Sequence, residues 1–195
     1  MKNKGGTTVK KLAAFVLALC LLLPALSLSE EYSPALGLTV SSFMLKYNAV
    51  GSSLNSSLLS LRRPFQWTKF SDYNVAWLEA DRNSGVTILL LSSDPLNAGS
   101  IVAGVDQIQV FTDRDSDFMS LITVASRCVQ LFSDDLFGAN LAPLYVADVI
   151  SYYWENANDT EYFAYRSIDA AQNYIIRFFK SSGQYYFTIN PRGEE

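Results

Sequence analysis

The chain contains no histidine. That single absence removes Ser-His-Asp and Cys-His nucleophile systems, imidazole-based proton transfer and every zinc site that needs an imidazole ligand. Cysteine is nearly as scarce, with only Cys20 and Cys128 among 195 residues. Thiolate metal clusters and paired-cysteine redox motifs are therefore excluded as well. No glycine-rich phosphate loop is present, and Gly104-Val105-Asp106 does not make one. Charge is sparse at 17%, against 49% apolar residues, which is a globular composition and not a disordered one.

Long apolar runs are absent except at the N-terminus. There Lys2, Lys4, Lys10 and Lys11 precede the uninterrupted stretch Leu12–Leu23, which Pro24 closes. Twelve residues fall short of the roughly 20 that span a bilayer. Small residues follow at signal-peptidase spacing, so residues 1–29 read as a signal peptide cleaved after Ser27 or Ser29. The implied location is outside the cytoplasmic membrane, secreted or in the cell envelope, with membrane contact only through this segment if it is retained. Cys20 follows Leu19, and more leucines continue past it, so it belongs to the apolar run and not to a lipid-attachment site.

Loss of the leader takes four lysines with it and leaves 11 basic against 19 acidic residues, a net charge of −8. An acidic exterior argues against nucleic acid as a partner. A single remaining cysteine, Cys128, also means that the exported domain holds together by packing without an internal disulfide. Cys128 shares a helical face with Phe118, Leu121, Ala125 and Phe132, which makes it a small core residue and not a nucleophile.

What the sequence does contain is alternation. Residues 74–93 read as two strands joined by the turn 81–85, with Val86–Leu91 apolar on both faces, as in an inner strand. Ala76, Leu78 and Ala80 share one face of the first strand; Val75, Trp77, Glu79 and Asp81 share the other. This hairpin is read as the centre of an antiparallel sheet. Before it come a linker over 30–38, a helix opened by Thr39 that carries Phe43, Met44, Tyr47, Val50 and Leu54, and a strand over 65–70. After it come a strand over 104–111, a helix following Thr112–Asp117, and a helix over about 143–156 with Pro143 in its first turn. Strands over 161–167, 173–180 and 184–190 close the chain. The fold class is α+β: a mainly antiparallel sheet of six to seven strands with about three helices, ordered α-β-β-β-β-α-α-β-β-β, and a single domain over 39–195.

Candidate chemistry is thin. Asp113, Asp115 and Asp117 alternate like the start of a calcium loop, but Phe118 stands where the obligatory glycine would be and Val124 where the bidentate glutamate would be. The three aspartates fit a helix N-terminus better. Glu79 with Asp81, and Glu155 with Asp159, are the local carboxylate pairs that glycoside cleavage would need. Asn55-Ser56-Ser57 and Asn158-Asp159-Thr160 match the glycan acceptor pattern. No cofactor and no metal are expected.

The sharpest functional signal lies in the last two strands. Tyr185, Phe187 and Ile189 point to one side, so Tyr186 points to the other. That other side carries Ile175, Arg177, Phe179, Tyr186 and Thr188, which is unusually apolar for a solvated face. Either the sheet of the first half lies against it, or a partner does. The reading is an exported, non-catalytic binding domain with a protein, or else a carbohydrate, as partner. The alternative is a small extracellular hydrolase or carbohydrate-active enzyme that uses carboxylates.

Overall fold

A computed structural model describes residues 32–53, 60–81, 85–114, 117–132, 136–156, 164–167 and 174–192. The leader, both glycan acceptor sites, Leu54, Asp115 and Asp159 lie outside these residues.

The α+β architecture is present, with every strand pairing antiparallel. Strands β2 (Gln66–Phe70), β3 (Tyr73–Asp81), β4 (Val86–Ser92), β6 (Gln107–Thr112), β7 (Ala164–Ser167), β8 (Tyr174–Ser181) and β9 (Gln184–Pro191) form one seven-stranded sheet. Their spatial order is β2-β3-β4-β6-β9-β8-β7. The hairpin β3–β4 is internal, but the middle strand is β6, which joins the first half of the chain to the last strands. The two halves thus meet edge to edge in one sheet, and the first half does not lie against the face of the second.

Three helices, α1 (Val40–Ser53), α2 (Phe118–Gln130) and α3 (Leu136–Asn156), build the main core with the sheet. Thr39 caps α1 reciprocally: Ser42 N–H donates to Thr39 Oγ1 at 3.2 Å, and Thr39 N–H donates to Ser42 Oγ at 2.8 Å. This satisfies two backbone donors that the first helical turn leaves over. Phe43 and Tyr47 of α1, Leu121, Val124, Cys128 and Val129 of α2, and Val146 and Ile150 of α3 meet Ala76, Leu78, Ile88, Leu90, Ile108, Val110, Ile176, Phe178, Phe187 and Ile189. These sheet residues are the alternate positions of their strands, all turned to one face.

Several expectations are corrected. The segment 30–38 is not simply a linker: Leu36 and Leu38 are buried in the core, and a two-residue strand β1 (Leu38–Thr39) pairs with β5 (Gly104–Val105) ahead of the first helix. The strand expected over 104–111 is broken at Asp106. Its carboxylate accepts from Ala35 N–H at 3.0 Å and from Ser93 N–H and Oγ at 2.6 and 2.7 Å, tying the chain start to the end of β4. Pro143 sits inside α3 and not in its first turn, because that helix begins at Leu136. Asp117 occupies the N-cap of α2 but makes no side-chain capping bond. The Asp94–Gly99 break forms a loop around Asp94, which accepts from the N–H groups of Leu96, Asn97 and Gly104 and from Asn97 Nδ2.

Candidate functional site: the second face of the sheet

Strand alternation sends half of the sheet's side chains away from the helices. On this second face a small apolar cluster, Val75, Leu89 and Leu91, is packed against Tyr73, Trp77 and Phe111. Every member of that cluster is a strand residue, so among the described residues no helix contributes to it.

The five residues singled out in the last strands all fall here. Phe179 lies opposite Tyr186, Arg177 opposite Thr188, and Ile175 opposite Asn190 across the β8–β9 ladder. Arg177 is exposed; Ile175, Phe179 and Tyr186 are half-buried; Thr188 is buried. The patch is therefore less accessible at Thr188 than the alternation alone implies.

The face extends well beyond those five. Tyr186 lies opposite Phe111 across β6–β9, and their rings stack with centroids 5.7 Å apart and planes 24° apart. On its other side Tyr186 stacks with Phe179 at 5.2 Å and 12°. Phe111 in turn takes the ring of Trp77 edge-on at 6.0 Å. A row of four rings, Trp77–Phe111–Tyr186–Phe179, thus spans strands from both ends of the chain. Near-parallel rings this close must overlap, so they stand up from the sheet and do not lie flat on it.

Polar groups border the row and are held in place. Trp77 Nε1–H donates to Thr68 Oγ1 at 2.8 Å, Tyr186 O–H donates to Gln184 Oε1, and Asn190 Nδ2–H donates to Thr188 Oγ1 at 2.9 Å. Gln107 and Gln109 face the same way, opposite Leu91 and Leu89. Burial pushes the Tyr186 phenol above its ordinary pKa, so the hydroxyl stays protonated and serves as a donor.

The carboxylate pair Glu79/Asp81 does not remain one regular i, i+2 pair. A bulge between them resets the register, so Glu79 opposes Thr87 while Asp81 opposes the core residue Val86. No group of three or more potential metal ligands occurs among the described residues.

Phe111 and Trp77 were within reach of sequence reasoning. Phe111 continues the Gln107, Gln109 series of the wet face, and Trp77 shares its strand face with Val75 and Glu79, away from Ala76, Leu78 and Ala80. What alternation does not reveal is that β6 and β9 are neighbours, which is what joins the two groups.

Comparison with protein-family models, with curated proteins and with solved structures yields no match.

Proposed function

We propose that this chain is an exported, non-catalytic binding protein that engages another protein through the second face of its sheet. The observation that carries the reading is the four-ring row Trp77–Phe111–Tyr186–Phe179 on a face to which no described helix contributes. Aromatic centres bordered by uncharged polar groups and an arginine have the make-up of protein interface cores. The three stacked rings Phe111, Tyr186 and Phe179 offer edges to a partner, whereas a sugar ring packs on an aromatic face. That favours a protein over a carbohydrate. The charged and apolar leader supports action outside the cytoplasmic membrane.

The test is site-specific photocrosslinking in the native host. A benzophenone side chain at Phe179 or at Tyr186 should trap one and the same protein, while the same group at Met119, exposed on α2, should not. Equal trapping from all three positions, or none from the face, overturns the reading. Polysaccharide attached in place of protein would move the assignment to carbohydrate.

A further inference from the structure

The face that carries the ring row is balanced about its middle strand. β4 and β9 flank β6, and β3 and β8 lie outside them, each two strands from β6. Among the described strand residues of this face ahead of the bulge in β3, the charged ones are Glu79 on β3 and Arg177 on β8. Both are exposed. One acid and one base therefore stand on opposite sides of the central strand.

The ladders fix their offset along the strands. Glu79, Thr87, Phe111, Tyr186 and Phe179 oppose one another in turn across β3, β4, β6, β9 and β8, so Glu79 shares its row with Phe179. Arg177 stands two positions from Phe179 on β8, about 7 Å along the strand. A second copy turned face-down by a half-turn about the β6 direction sets its β8 over β3 and its β3 over β8. Each Glu79 then meets the partner's Arg177, because that offset lies within the combined reach of a glutamate and an arginine side chain. A half-turn about an axis across the strands would instead set β3 on β3 and β8 on β8, bringing like charges together.

The rest of the face is self-complementary about the same axis. Gln107 and Gln109 of β6 lie along it, and each amide carries both a donor and an acceptor for its own copy. Seven strands about 4.8 Å apart, each with about six residues of about 3.3 Å, cover roughly 670 Å² per copy. Upright rings add to that flat figure, and a standard interface takes about 800 Å² from each partner.

We infer that the partner engaged by this face is a second copy of the chain, packed sheet on sheet about a two-fold axis along β6. The inference rests on the sheet face being a protein-docking surface, as proposed above. Aligned sheets pack about 10 Å apart with their inner side chains interdigitated. The edges of Phe111, Tyr186 and Phe179 fill that layer, and the paired Glu79 and Arg177 at its flanks set the orientation.

Sedimentation equilibrium of the full protein as its host makes it reads the assembly directly. The wild type should reach twice the monomer mass. Glu79→Arg and Arg177→Glu should each weaken association by about tenfold or more, and the two together should restore it to within about threefold. A benzophenone at Phe179 in the purified protein should attach to the peptide that holds Glu79. If a charge reversal does not fold, this crosslink decides, and attachment elsewhere in the chain overturns the inference. A monomeric wild type, a dimer indifferent to both reversals, or a double reversal as weak as the single ones also overturns it. The two readings fail separately. A monomer that traps a different protein from Phe179 in the host keeps the docking face and removes the second copy, whereas a monomer that traps none removes both.

Discussion

The ring of Tyr186 stacks on that of Phe111 across the β6–β9 ladder with centroids 5.7 Å apart, while its neighbour Phe187 is fully buried in the core. The two sides of β9 should behave differently. Phe187→Ala removes a fully buried ring and is expected to cost about 3–5 kcal/mol. Tyr186→Ala, on the half-buried row, should cost clearly less while abolishing crosslinking from Phe179. Denaturant midpoints and crosslink yield, read on the same samples, separate the two outcomes.

The β8–β9 turn is open to improvement. Ser182 and Gly183 both adopt positive φ, 50° and 82°, between the paired Ser181 and Gln184. Two-residue hairpin turns of this kind favour asparagine before glycine. Ser182→Asn should raise stability by a few tenths of a kcal/mol, visible as a small upward shift of Tm, whereas Ser182→Val should lower it.

Acid should act through Asp94. Burial raises its pKa, but the Asn97 side chain and the N–H groups of Leu96, Asn97 and Gly104 together outweigh that and hold it below its ordinary value of 3.8. A depressed folded-state pKa means that the charged form contributes stability above about pH 4. That contribution fades as the pH falls through the folded-state value. Wild type and Asp94→Asn, melted from pH 7 to pH 2, should differ most at the neutral end and converge in acid. A gap that widens in acid would contradict the hydrogen-bond pattern of this loop.

Cys128 should be inert in the native protein. It is fully buried and its thiol is held neutral by burial. Peptide mapping after iodoacetamide treatment at pH 8 should find it unmodified until denaturant is added.

Much of this fold is legible from side-chain alternation, because one buried sheet face repeats every second residue. Ala76/Leu78/Ala80 and Tyr185/Phe187/Ile189 are found that way, as is the outward turn of Tyr186. Where the reading departs from the structure, tertiary contacts override a local signal. Asp106 breaks an apolar strand because Ala35 and Ser93 need its carboxylate. Pro143 reads as a helix start, yet α3 begins seven residues earlier and carries it in its interior. Leu36 and Leu38 sit beside Pro34 and Gly37, which signal a linker, and are nonetheless buried. Arg127 is invisible for a different reason: a charge on a helix implies solvent, yet only 3% of this residue is exposed.

The β6–β9 ladder has a consequence for how the protein is made. Ile108 pairs with Ile189, roughly 80 residues further on, so the middle of the sheet is a contact of long sequence range. Until β9 has emerged, β6 has β4 on one side and a bare edge on the other. Completion of the sheet therefore waits for β9, and truncation before β9 removes the partner of the central strand.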